Sequence, residues 1–183
     1  SEEVKNKIKI LYLEKKYDEL IEFTEKFTLP EHRPSGLINL LAISYYSKKN
    51  STDNDIYNAL SLFEKAYLKE KNSIHSLNAI KNLVIVGIKI SRVSKEFTKF
   101  LFKAKEFYIE AESNFDNNNE FLQSGILLFT YLLDKKKLKE IINKILDNKI
   151  TSKDLRGQST FITNYFCDWS QENIIDISKE NSK

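Results

Sequence analysis

The sequence predicts an all-α fold built from stacked antiparallel helix hairpins. Three observations predict it: apolar residues recur at helical spacing, strong helix breakers are scarce, and short polar loops separate the periodic segments. Only four Gly and two Pro occur among 183 residues, too few for the many tight turns of a sheet protein. Helices joined by such short loops must lie antiparallel to their neighbours.

Composition narrows the class of protein and its partners. Hydrophobic residues make up 41% and charged residues 30% of the chain, enough apolar surface to bury a core. The net charge is only +3 and its charges are interspersed, so no nucleic-acid partner is predicted. The longest uncharged apolar stretch, Leu83 to Ile88, is far shorter than the roughly 20 residues of a membrane span. A single cysteine, Cys167, is typical of a reducing compartment, and we expect a cytoplasmic protein.

The clearest helix signal runs from Tyr17 to Phe27, where an apolar stripe faces away from charged residues. Pro30 is predicted to follow its end, and a second helix is predicted over 36–47. A third periodic run begins at Ile56, with Asp53 or Asp55 as the expected N-cap. Further helices are predicted over about 74–90, 94–114, 120–133, 137–146 and 153–166.

The same 3-4-3 apolar step recurs in the second helix of each successive pair. Aligning these steps matches Leu20 with Ala59, Phe97 and Ile141, at spacings of 39, 38 and 44 residues. A unit of that size cannot bury its own apolar face, so neighbouring units must stack. We predict one domain over 1–183, with repeat units at about 1–30, 34–71, 74–114 and 118–148 and a capping segment at 151–178.

The second unit resembles the tetratricopeptide repeat family. Its first helix matches the consensus at Leu41, Ala42 and Tyr45, and its second helix matches at Ala59, Phe63 and Ala66. The first unit matches in residue type at Tyr17, Leu20 and Phe27, and the later units match only in period. The resemblance implies a right-handed superhelix of about four repeats with terminal capping helices. The family repeat is about 34 residues, shorter than these units, and a generic helical bundle is the alternative.

In that family the first helix of each pair lines a concave groove that holds a peptide. The resemblance therefore implies a set of peptide-binding residues on three first helices: Lys5, Lys9, Tyr12, Asn39, Ile43, Tyr46, Asn78 and Asn82. Asn78 and Asn82 lie four residues apart, on one helical face. A side-chain amide both donates to and accepts from a peptide backbone, which grips an extended chain regardless of its sequence. The alternative for these amides is a solvated polar face.

No constellation of residues predicts catalysis or a cofactor. His32 and His75, the only histidines, are separated by a whole predicted hairpin, so no metal site is predicted. Cys167 has no candidate base nearby in the sequence, and no Gly-rich phosphate-binding loop is present. We expect no enzymatic activity, no cofactor and no metal.

The end of the chain offers an alternative function. The run Cys167-Asp-Trp-Ser170 resembles the segment that closes the repeat region of bacterial O-GlcNAc-transferase-like proteins, which implies a non-catalytic, substrate-recruiting region of a larger glycosyltransferase. Structurally, Trp169 is expected to cap the last hairpin. Met is absent even from position 1, and we interpret the chain as part of a longer protein. The favoured function is a protein-protein interaction module that binds an extended peptide or partner helix, and a third possibility is self-association through an uncapped end.

Overall fold

A computed structural model describes residues 1–147, and this part of the chain is all-helical, which confirms the all-α prediction. Among these residues there is no strand, and no helix is long and apolar enough to cross a bilayer. The capping segment predicted at 151–178, Trp169 and the helix predicted over 153–166 lie outside the described residues. The helices are α1 (Glu2–Leu13), α2 (Tyr17–Phe27), α3 (Ser35–Ser47), α4 (Asp53–Lys69), α5 (Ile74–Ser91), α6 (Thr98–Phe115), α7 (Asn119–Tyr131) and α8 (Lys135–Asp147), with 3-10 turns at Pro30–His32 and Lys95–Phe97.

Helix bounds lie within two residues of the predictions except at two N-termini, those of α4 and α6. The observed α2 has the predicted bounds, and α3 and α5 begin or end within a residue of theirs. In contrast, α4 begins at Asp53 instead of Ile56, because a capping interaction starts the helix ahead of its apolar run. Likewise α6 begins at Thr98, since the three residues before it form a 3-10 turn.

Thr52 is the N-cap of α4, where Asp53 or Asp55 had been expected, and Asp55 is its partner in a capping box. The Thr52 hydroxyl accepts from the Asp55 N–H at 3.2 Å, and Asp55 Oδ2 accepts from the Thr52 N–H at 2.8 Å. Lys48 Nζ lies 3.2 Å from the same carboxylate. Burial alone raises the pKa of Asp55, but the hydrogen bonds from Thr52 and Lys48 outweigh burial and hold that pKa below its ordinary value.

The capping box makes the free energy of unfolding depend on pH in the acidic range. Because the folded-state pKa of Asp55 lies below its unfolded value of about 3.9, the carboxylate contributes stability that is fully present above that pH and lost as the pH falls through the folded-state pKa. We expect Asp55→Asn to cost about 1 kcal/mol at neutral pH and to flatten the acid limb of the stability curve, measured by urea denaturation at a series of pH values. Asp53→Asn, in the same helical turn but exposed, is the control. An acid limb unchanged by Asp55→Asn would assign the pH dependence to other carboxylates.

Residues in the left-handed backbone region make several of the helix connections. Lys15, Asn50, Asn72 and Leu133 have φ between 57° and 61°, and each lies between two helices. The turns after α1 and α7 share one hydrogen-bond pattern, in which the Lys16 N–H donates to Leu11 O and the Asp134 N–H to Phe129 O, both at 2.9 Å. This is the Schellman pattern, which commonly uses glycine at the left-handed position. In this chain the left-handed residues of the two motifs are Lys15 and Leu133. These connections between helices therefore form without glycine.

The shared turn also provides a second way to align the sequence of the first hairpin with that of the last described hairpin. Aligning Lys16 with Asp134 matches Leu20 with Leu138, whereas the alignment of apolar steps matched Leu20 with Ile141. Both leucines are buried, at 0% and 4% exposure. The two alignments differ by three residues because α8 carries apolar residues at every step of its stripe, so the 3-4-3 pattern fits at either phase.

The described chain packs as two compact units that divide between Leu83 and Val84, inside α5. In the first unit, α1, α2 and α3 share one core of Ile8, Leu11, Leu20 and Leu41. The α3 helix therefore packs on the preceding hairpin as well as on α4. Five of the residues that carry the tetratricopeptide resemblance are at most 1% exposed, namely Leu41, Ala42, Ala59, Phe63 and Ala66.

In the second unit α7 is enclosed on every face, since each residue from Phe121 to Thr130 is buried. The Tyr108 ring of α6 stacks on Phe121 with centroids 4.0 Å apart. Ion pairs join α6 to α8: Glu112 lies 2.7 Å from Lys137 Nζ and 3.1 Å from Lys144 Nζ. The low exposure of Glu112 and Lys137, 19% and 16% for the side chains, protects that pair from screening by salt.

Candidate functional site

A cavity of about 510 Å³ lies between α1, the end of α2, the 3-10 turn at Pro30–His32 and the start of α3. Most of its lining is apolar. Ile8 of α1 and Leu37 and Leu40 of α3 are buried or half-buried and form its floor. Phe27 and Leu29, which are 52% and 58% exposed, line its edge. The cavity thus presents apolar side chains to solvent at a junction between the first hairpin and α3.

The wall formed by the connection between α2 and α3 is held by Arg33, a charged residue only 5% exposed. Its Nε donates to the Thr28 hydroxyl at 2.9 Å and its Nη2 donates to Glu25 at 3.1 Å. The Thr28 hydroxyl in turn donates to the carbonyl of Thr24 at 2.6 Å. A buried guanidinium needs such partners to offset its lost hydration, and here they fix the connection against the last turn of α2. Hydrogen bonds within the chain therefore hold this wall of the cavity.

All ionisable side chains that line the cavity are basic: Lys5, Lys9, His32 and Arg33. Glu25 neutralises Arg33, and Glu2 lies 3.9 Å from Lys5 in an exposed pair. Within residues 1–147, Lys9 and His32 have no ion-pair partner. Cationic groups above a low-dielectric apolar floor produce a locally positive potential, so the cavity suits an apolar group that carries negative charge.

The structure brings Lys5 and Lys9, two of the predicted binding residues, together at this cavity. Tyr12 is half-buried further along α1, where its ring meets Tyr17 edge-on with centroids 6.3 Å apart. Burial, with a smaller effect of Tyr17, raises the pKa of the Tyr12 phenol, which stays neutral at physiological pH. Tyr12 can therefore offer a ligand an aromatic edge and an uncharged hydroxyl.

Asn39 lies at a contact between α3 and α5. Its side chain is 5% exposed, and its Nδ2 donates to the carbonyl oxygen of His75 at 2.9 Å. A Cβ at Gly36, one turn earlier, would lie 2.9 Å from Cε1 of the His75 ring, so the small residue allows this close approach. The donor of Asn39 is used within the fold, while its Oδ1 is buried without a hydrogen-bond partner among the described residues.

The remaining predicted residues, Ile43, Tyr46, Asn78 and Asn82, are half-buried and do not line the cavity. Asn78 and Asn82 have no hydrogen-bond partner in the described part of the chain. The α3 helix contributes Leu37 and Leu40 instead. Both leucines fall in the helix predicted over 36–47, where the sequence does not distinguish them from core residues. The signal for the site in the sequence is an apolar residue, Leu29, beside Pro30 in a segment that also carries His32 and Arg33.

Comparison with protein-family models, with curated proteins and with solved structures gives no match. The tetratricopeptide resemblance therefore stays a prediction carried by the residues of the second hairpin. Within residues 1–147, no group of three or more His, Cys, Asp or Glu side chains is placed to hold a metal ion. The described chain belongs to the all-α class, and its candidate site is a cavity with an apolar floor and basic lining.

Proposed function

We propose that this chain is a non-enzymatic protein-protein interaction module of the tetratricopeptide-like, right-handed superhelical kind, which holds an extended peptide or a partner helix along α1 and α3. The cavity between those helices carries the proposal. Its volume of about 510 Å³ falls in the range of roughly 300–1,000 Å³ that is typical of ligand sites. An apolar floor with a few polar groups around it is also typical of such sites.

The packing of the first unit supports a module built from hairpins. Because Leu41 of α3 belongs to the same core as Ile8 and Leu20 of the first hairpin, one apolar seam continues across the boundary between the predicted units. A continuous seam is how stacked repeats bury faces that a single hairpin leaves exposed. The lone cysteine and the mixed surface charges favour the cytoplasm as the place where the module works.

A peptide bound here would use two kinds of contact. One large apolar side chain would enter between Ile8 and Leu40, and would extend the apolar contact onto Leu29 at the edge. The backbone would then continue towards α5, where the amides of Asn78 and Asn82 are half-buried and without hydrogen-bond partners among the described residues. Apolar anchors supply most of the affinity in such interfaces, and amides fix the path of the chain.

The test is peptide selection followed by substitution at the edge of the cavity. Peptides selected from a random display library on the wild-type protein should lose affinity about fivefold with Leu29→Ser, because contact with about half of a leucine side chain is worth roughly 1 kcal/mol. Leu13→Ser is the matched control, since Leu13 is 78% exposed and does not line the cavity. Circular dichroism of both variants should match the wild type. Selected peptides that respond equally to both substitutions, or a selection that yields no binder, would exclude a peptide site at this cavity.

A further inference from the structure

We propose, on the basis of the interaction function above, that the occupant of this cavity is an acidic, extended segment of a partner protein that carries one large apolar side chain and two carboxylates at alternate positions, all on one face. The apolar side chain would enter the cavity floor, and the carboxylates would face the lysines of α1. This proposal adds the chemistry of the partner to the existence of a peptide site.

The charge of the lining selects a negative partner. The lining includes four basic side chains and no acidic one. Of the acidic groups that face them, Glu25 is held by buried Arg33, and Glu2 meets Lys5 at 3.9 Å with both side chains at least 70% exposed. An exposed pair of that length contributes little, so an incoming carboxylate readily replaces Glu2. Lys9, without an ion pair among residues 1–147, adds a second ammonium group to the rim of the cavity.

The spacing of the lysines favours an extended acidic chain. Lys5 and Lys9 are four residues apart on α1, and a rise of about 1.5 Å per residue separates them by roughly 6 Å along the helix axis. In an extended chain, side chains two residues apart lie on one face at roughly 6.7 Å. Carboxylates at alternate positions of an extended partner therefore match the two ammonium groups, whereas the residue between them points to the opposite face of the strand.

The apolar side chain therefore belongs two residues beyond the pair of carboxylates, on the same face of the extended chain. From there it enters the cavity at Ile8 and Leu40 while the carboxylates face Lys5 and Lys9. Phe27 and Leu29 extend the apolar surface beyond the cavity. A ligand longer than the cavity is thus favoured over a small acid that the cavity alone would enclose.

Four short fluorescent peptides test the inference by anisotropy: one with a Trp and with Glu two and four residues away from it, one with Gln in place of both Glu, one with Lys in place of both, and one with Ala in place of Trp. The acidic Trp peptide should bind the wild-type protein about tenfold more tightly than the Gln peptide, since each exposed charge pair contributes a factor of roughly two to five. Raising the salt concentration should remove most of that difference. The Lys peptide and the Ala peptide should bind more weakly still.

The double variant Lys5→Glu with Lys9→Glu should reverse the preference towards the Lys peptide. Lys7→Glu is the matched control, because Lys7 is exposed on α1 and does not line the cavity, and it should keep the preference for the acidic peptide. If the acidic and Gln peptides bind with equal affinity and both lose affinity with Leu29→Ser, the acidic partner is excluded. The peptide-binding function would then still stand. If none of the four peptides binds the wild-type protein, both proposals are overturned. A fatty acid that binds more tightly than every peptide would also overturn them, because the ligand would then be a small amphiphile and not a protein.

Discussion

Replacing Phe63 by alanine is expected to lower the free energy of unfolding by about 3–5 kcal/mol, the largest effect of any single substitution we propose. Phe63 is 1% exposed on α4, between Ala59 and Ala66, which are both fully buried. The alanines allow α3 and α4 to approach closely, and the phenyl ring fills the space between them. Removing the ring leaves a cavity that such a closely packed pair cannot close, so the cost includes lost contacts as well as lost burial.

The measurement is urea denaturation followed by circular dichroism. Leu68→Ala is the matched control, since Leu68 is on the same helix but 55% exposed, and it should cost less than about 1 kcal/mol. Equal effects of the two substitutions would mean that the α3–α4 contact is not the tight crossing described above. It would also remove the physical basis of the tetratricopeptide resemblance, which depends on that crossing.

The second large effect is expected at Gly125, in the middle of α7. A Cβ at this position would lie 2.5 Å from Cζ of Tyr108 and 2.8 Å from Cδ1 of Ile141, and nearer still to the Tyr108 hydroxyl oxygen. Alanine favours a helix by about 1 kcal/mol over glycine, but Tyr108 is fully buried and cannot move aside. We expect Gly125→Ala to destabilise the second unit by about 1–3 kcal/mol net, because the cost of overpacking exceeds the gain in helix propensity.

A double-substitution cycle with Tyr108→Phe checks the cause. The Tyr108 hydroxyl is buried without a hydrogen-bond partner among the described residues, and burial, aided by Glu112 and Asp116, raises its pKa far above the ordinary value. Tyr108→Phe alone should therefore stabilise by about 1 kcal/mol. With Gly125→Ala it should restore more stability than it adds to the wild type, since the nearest clashing atom is gone. Additive free energies in urea denaturation would show that the hydroxyl is not what excludes a side chain at position 125.

The fold was predictable where local signals agree. Pro30 and the apolar stripe after Tyr17 give the bounds of α2, because a proline and a 3.6-residue period both act locally. The start of α4 was missed since its capping box begins ahead of the apolar run. The phase of the last described hairpin is ambiguous in the sequence because α8 has apolar residues at several equivalent steps, and the turn at Leu133 gives a match with the first hairpin that differs by three residues.

The candidate site was predictable only in part, for a different reason. Lys5 and Lys9 follow from helix periodicity alone. Leu37 and Leu40 do not, because an apolar residue facing a cavity and one facing the core look alike in a sequence. Asn39 and Asn78 likewise cannot be told apart from the sequence, yet Asn39 is buried against the His75 carbonyl and Asn78 is not. That difference depends on tertiary contacts, which a single sequence does not contain.

The burial of α7 has a consequence for the unfolded and partly folded chain. Most helices keep one polar face in water in the native state, but every residue of α7 from Phe121 to Thr130 is buried, and only Gln123, Ser124 and Thr130 among them are polar. When the native packing is lost, this stretch exposes apolar side chains that favour aggregation. The Glu112–Lys137 ion pair, which joins α6 to α8, contributes to the packed state in which the stretch is covered.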